Sequence, residues 1–133
     1  MESPLNSNIK LLHSALGAEV CGVDLTIDND PKTIAMLRQA LVNHNVIVLR
    51  NQSLEPSEQI SISKKFGPLM VHVVSQFNME QFPEVLVLSN DKKTDGKPAG
   101  IEDAGRYWHT DMSYLEKPSL GSILHAIEVP PEG

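Results

Sequence analysis

Two residues near the end of the chain could hold a metal ion: His109 and Asp111, in the run Trp108-His109-Thr110-Asp111. An extended strand sends alternate side chains to one face, so the imidazole and the carboxylate would point together with only Thr110 between them. A neutral imidazole nitrogen beside a carboxylate oxygen makes two thirds of a two-histidine, one-carboxylate facial triad. That ligand set binds Fe(II) and leaves coordination positions open for a co-substrate and oxygen. On spacing alone, the same pair also fits a solvated turn.

The other polar candidates carry less chemistry. His125 alternates with Ile123, Ile127 and Val129, the pattern of a strand with a core or half-buried histidine, and is not expected to be a third ligand. His13 and His44 fall at a strand end and a helix end and read as structural. Trp108, Tyr107 and Tyr114 read as packing residues, Trp108 as the support behind the metal pair.

These residues must be positioned by elements that the sequence announces in turn. Residues 9–12 and 18–27 read as short strands, broken by Gly17 and Gly22. Asp30 and Pro31 mark a helix start, with Ile34, Leu37 and Leu41 as its buried stripe and Asn45 as its left-handed cap. Val46 to Leu49 is four consecutive apolar residues and predicts a fully buried strand. A second helix is expected from Pro56 to Phe66, with Lys64 and Lys65 complementing its negative end and Gly67-Pro68 stopping it. Strands are expected again at 69–74 and 85–89. Residues 90–106 form a loop rich in glycine and charge, read as a lid because it leads into the His-x-Asp pair.

Composition bounds the function. The chain of 133 residues is the size of one domain, with 41% hydrophobic and 21% charged residues, which fits a globular protein. A net charge of −6 argues against a nucleic-acid surface. There is no apolar run of membrane-spanning length and no signal-peptide pattern, and the single cysteine, Cys21, cannot form an internal disulfide. A cytoplasmic location and no membrane partner are therefore expected.

Four stretches carry a resemblance to a known family. These are Leu16-Gly17-Ala18-Glu19-Val20-Cys21-Gly22-Val23-Asp24-Leu25; Val46-Ile47-Val48-Leu49-Arg50 followed by Gln52; Phe66-Gly67-Pro68-Leu69; and Trp108 to Tyr114 with Pro118 and Ser122 to Pro130. In this order they resemble the taurine/2,4-dichlorophenoxyacetate family of Fe(II)- and 2-oxoglutarate-dependent dioxygenases.

The resemblance implies a mainly β, α+β fold with flanking helices, the N-terminal portion of a double-stranded β-helix (jelly roll). It implies Fe(II) held by His109 and Asp111, with 2-oxoglutarate as co-substrate and a small organic acid and oxygen as partners. A sulfonate, sulfate ester, carboxylate or aryloxy acid would be oxidised, with release of succinate and carbon dioxide. His72, six residues after Phe66, matches a substrate-contacting histidine, and Met112 matches an apolar substrate contact. Ser75 and Gly105 stand where taurine enzymes carry a tyrosine and an asparagine, which argues against taurine itself. The family's second histidine ligand and its 2-oxoglutarate-binding arginine lie further downstream than Gly133. Residues 1–133 are thus expected to be the N-terminal part of one such domain, inactive alone and homo-oligomeric at full length. The alternatives are a cupin-like metalloenzyme, or a noncatalytic fragment or association module.

Overall fold

Asp30 starts the first helix. Its carboxylate accepts from the backbone N–H of Lys32 at 2.9 Å and of Thr33 at 3.3 Å, and the Thr33 hydroxyl donates to its other oxygen at 2.7 Å. The Thr33 hydroxyl, then the two amides, hold the Asp30 carboxyl below the usual aspartate range. Helix α1 (Pro31–His44) ends at Asn45, whose φ of 64° turns the chain out while its N–H bonds to Leu41 O at 2.8 Å. Its buried residues are Ile34, Leu37 and Ala40. Leu41 is only half-buried: its longer side chain reaches the rim, whereas the single methyl of Ala40 is covered outright.

This computed structural model describes residues 8–132, which fall into two units, one ending at Phe66 and one starting at Gly67. In the first, β1 (Ile9–Leu11), β2 (Ala18–Val20) and β3 (Ile47–Val48) form a sheet in the order β1-β2-β3. β1 pairs antiparallel with β2, and β2 pairs parallel with β3, Ala18 opposite Ile47 and Glu19 opposite Val48. A parallel pair needs a long crossover, and the segment carrying α1 supplies it. Val20, Leu25, Ile34, Leu37, Ala40 and Ile62 make the core. Helix α2 (Pro56–Phe66) starts where the Glu58 carboxylate reaches back to accept from the Glu55 N–H at 2.8 Å, and Lys64 and Lys65 occupy its last turn.

Two strand expectations in this unit need correction. The strand expected to reach residue 27 ends at Val20. Gly22 lies at φ +72° and the chain then turns at Asp24, whose carbonyl accepts from the N–H groups of Ile27 and Asp28. Gln52 fixes that turn's entry: its Oε1 accepts from Leu25 N–H at 2.9 Å, and its Nε2 donates to Val23 O at 2.8 Å and Arg50 O at 3.0 Å. The strand at 46–49 shortens to Ile47–Val48 and is half-buried, because β3 is an outer strand with one neighbour.

The second unit contains less regular structure than expected. No strand forms over 69–74; the chain passes through a 3-10 turn (Ser75–Phe77) into a tight hairpin of β4 (Asn78–Met79) and β5 (Phe82–Leu86). The strand expected at 85–89 is β5, which starts at Phe82. Nor are residues 90–106 an open loop. Ile101 N–H bonds to Val87 O at 3.0 Å and Ser89 N–H to Ile101 O at 3.2 Å, so the excursion folds back onto its own start. An ion pair between Lys92 and Glu102 braces it. Gly100 sits at the closure: a Cβ there would lie 2.7 Å from both Ser89 N and Val87 O.

Two helices and five short strands among the described residues make a mixed α/β structure, less β-rich than expected. None of these helices is long and apolar enough to cross a membrane.

Candidate metal centre

His109 and Asp111 come together, though not on a strand. Residues 108–110 are irregular, and Asp111 opens a turn in which Met112 takes φ 57° and its carbonyl accepts from Leu115 N–H at 3.0 Å. No other strand pairs with this segment among the described residues, so no ladder holds it extended. The turn nevertheless aims both side chains at one point: His109 Nε2 stands 3.2 Å from Asp111 Oδ1.

Local contacts fix each partner. His109 Nδ1 lies 2.7 Å from the main-chain oxygen of Tyr107. A carbonyl only accepts, so Nδ1 carries a proton and donates it. A neutral ring then turns its Nε2 lone pair toward Asp111, and a protonated ring makes the contact an ion pair. On the carboxylate, the Ser122 hydroxyl donates to Oδ2 at 2.7 Å and leaves Oδ1 to face the imidazole. Two donors bound at right angles to one ion, each at about 2.1–2.3 Å, stand roughly 3.0–3.3 Å apart. The 3.2 Å separation fits that pair. The chemistry of the donors, one imidazole and one carboxylate, fits Fe(II) with open positions. Both side chains are more than half exposed, at 54% and 57%, so as a bare ion pair they would contribute little to stability.

No third His, Cys, Asp or Glu joins the pair to complete a metal-holding group among the described residues. His72 stands outside it, half-buried, its Nδ1 accepting from Val74 N–H at 3.1 Å. In the neutral ring that leaves Nε2–H as a donor. Met112 is half-buried, and its sulfur accepts from the Tyr114 hydroxyl at 3.4 Å. His125 is half-buried, but the strand expected around it is absent and Ile127 and Val129 are exposed.

Packing roles given to three aromatics need correction. Trp108 is fully exposed, Tyr107 is 76% and Tyr114 60% exposed, since no described element covers this stretch. Tyr107 contributes its main chain instead, and the Arg106 guanidinium lies 6.0 Å from its ring centre. His13 accepts from Ala15 N–H at 3.1 Å, a structural contact.

Sequence reasoning missed Ser122 and the Tyr107 carbonyl. Ser122 lies eleven residues beyond Asp111, with no periodicity to link them, and a backbone oxygen leaves no mark in a sequence. Gly105, at φ +76°, was singled out only by resemblance; a Cβ there would meet His109 Cε1 at 3.7 Å, an ordinary contact.

The chain is also similar to proteins of known kind. The chain is 31% identical over 123 residues to pentalenolactone F synthase of Streptomyces avermitilis, covering 90% of this chain and 40% of that protein. It is 29% identical to the alpha-ketoglutarate-dependent sulfate ester dioxygenase of Pseudomonas putida (89% and 36% covered). It is 27% identical to the alpha-ketoglutarate-dependent 2,4-dichlorophenoxyacetate dioxygenase of Cupriavidus pinatubonensis (92% and 46% covered). The chain thus spans less than half the length of these relatives. A crystal structure from Burkholderia xenovorans, assigned as an alpha-ketoglutarate-dependent taurine dioxygenase, superposes with a TM-score of 0.52 at 34% identity, covering 56% of this chain and 27% of that one. The model of one family matches residues 8–133, a span that includes both His109 and Asp111, and the chain belongs to that family, the taurine catabolism dioxygenase TauD, TfdA family.

Proposed function

We propose that this chain supplies two of the three protein ligands of an Fe(II) centre, His109 and Asp111, in a 2-oxoglutarate-dependent dioxygenase acting on a small organic acid. The observation that carries this is the 3.2 Å approach of His109 Nε2 to Asp111 Oδ1, with the opposite ring nitrogen already bonded to Tyr107 O. Bound there, Fe(II) would couple decarboxylation of 2-oxoglutarate, with release of succinate and carbon dioxide, to oxidation of the organic acid.

This chain's residues orient and bind. The Tyr107 carbonyl fixes the His109 tautomer so that Nε2 faces the metal position. Asp111 brings negative charge that offsets a dication. His72, with Nδ1 occupied, offers Nε2–H to an anionic substrate group, and Met112 offers an apolar contact beside Asp111. Relatives whose names specify a sulfate ester and an aryloxy acid favour an anionic substrate.

The test is succinate formation by the full-length protein with Fe(II), ascorbate, 2-oxoglutarate and a panel of sulfate esters, sulfonates and aryloxy acids. Turnover with at least one acid, lost in Asp111→Ala, is the expected result. Turnover in Asp111→Ala equal to wild type would refute the assignment.

A further inference from the structure

Asp111 has two carboxylate oxygens, and the structure gives them different partners. Oδ1 faces His109 Nε2 at 3.2 Å, while Oδ2 accepts from the Ser122 hydroxyl at 2.7 Å. An ionised carboxylate can only accept, so the hydroxyl proton is committed to Oδ2. A charge-assisted bond of this kind is stronger than one between neutral groups. It matters more here because Asp111 lies in a turn, exposed, with no sheet ladder among the described residues to set its side chain.

We infer that Ser122 is a positioning residue for the metal site: its hydroxyl ties down Asp111 Oδ2 so that Oδ1 alone is presented, as a one-oxygen ligand, beside His109 Nε2. Without that tie, the carboxylate can rotate about its terminal torsion, which is soft, and either lose the pose or present both oxygens. Ser122 touches neither metal nor substrate. Its effect passes through Asp111, as the hydrogen-bond partners of metal ligands do when they set ligand orientation, with losses of about 10–100-fold in metal affinity on removal. The inference rests on Asp111 being a metal ligand.

The experiment measures Mn(II) binding to the full-length protein, without 2-oxoglutarate or substrate, by the loss of the free-ion signal in electron paramagnetic resonance. Wild type, Ser122→Ala, Ser122→Thr and Asp111→Ala are compared, with thermal unfolding of each. Ser122→Ala is expected to weaken Mn(II) binding about tenfold at an unchanged unfolding midpoint of the metal-free protein. Ser122→Thr, which keeps the hydroxyl, should return affinity to within about threefold of wild type. Wild-type affinity in Ser122→Ala, alongside lost binding in Asp111→Ala, would overturn the role of Ser122 and leave the metal assignment standing. Failure of Ser122→Thr to restore binding would also overturn it, by assigning the loss to packing. Undiminished binding in Asp111→Ala would instead overturn the metal assignment itself.

Discussion

The main-chain oxygen of Tyr107 accepts the Nδ1 hydrogen of His109 at 2.7 Å, from only two residues earlier in the chain. The ring is therefore oriented by its own local backbone, while the Tyr107 side chain projects outward, 76% exposed. Tyr107→Ala keeps the carbonyl and should retain Mn(II) affinity within about threefold, measured by calorimetric titration of the full-length protein. A loss beyond the roughly tenfold expected for removing a ligand's hydrogen-bond partner would mean that the phenol ring, not the carbonyl, orients the imidazole.

Gly100 closes the excursion that leads to His109 and Asp111. A Cβ at that position would approach Val87 O and Ser89 N to 2.7 Å, and both are backbone atoms that cannot swing aside. Gly100→Ala should destabilise the protein by about 1–3 kcal/mol, the usual range for forcing extra volume into a packed site. Urea unfolding measures it, and an unchanged midpoint would show that the excursion can open at no cost.

Gln52 binds three backbone groups, accepting from Leu25 and donating to Val23 and Arg50. Gln52→Ala leaves the part-buried Leu25 and Val23 groups short of partners and should cost about 1–3 kcal/mol. Gln52→Glu is expected to be no better, because it aims a carboxylate oxygen at two carbonyls. Glu restoring full stability in thermal unfolding would mean that the Leu25 bond alone matters.

Asp30 gives helix α1 a pH dependence of known sign. Its carboxyl is held below the usual aspartate range, first by the Thr33 hydroxyl and then by the Lys32 and Thr33 amides. Where the unfolded chain binds the proton and the folded one does not, stability rises with pH. The contribution is therefore present above the ordinary aspartate range and is lost as pH falls through the lower folded value. Asp30→Asn retains a capping oxygen and should show a flatter loss of unfolding midpoint between neutral and strongly acidic pH. An identical acid profile for both proteins would remove Asp30 from the acid response.

Local chemistry was legible in the sequence; partner-dependent structure was not. Asp30, Pro31 and Asn45 bounded α1 as expected because capping is decided within a few residues. Pro56 to Phe66 formed α2 for the same reason. The strands at 69–74, 108–111 and 123–129 failed because a strand needs a neighbour, and apolar alternation cannot say whether one is present. The β4–β5 hairpin went unseen because its turn, Glu80-Gln81, lacks the glycine or asparagine that usually signals one. His109 and Asp111 stand side by side as their spacing suggests, but in an exposed turn at Met112, which that spacing also fits, and not on a strand.

The most direct measurement is anomalous X-ray scattering from crystals of the full-length protein grown with Mn(II) and collected at the manganese edge. One peak per chain is expected, within about 2.0–2.3 Å of both His109 Nε2 and Asp111 Oδ1, the range of metal–imidazole and metal–carboxylate bonds. A peak ligated by His125, or one that leaves the His109–Asp111 pair out of contact, would contradict the assignment of these two residues as the metal ligands.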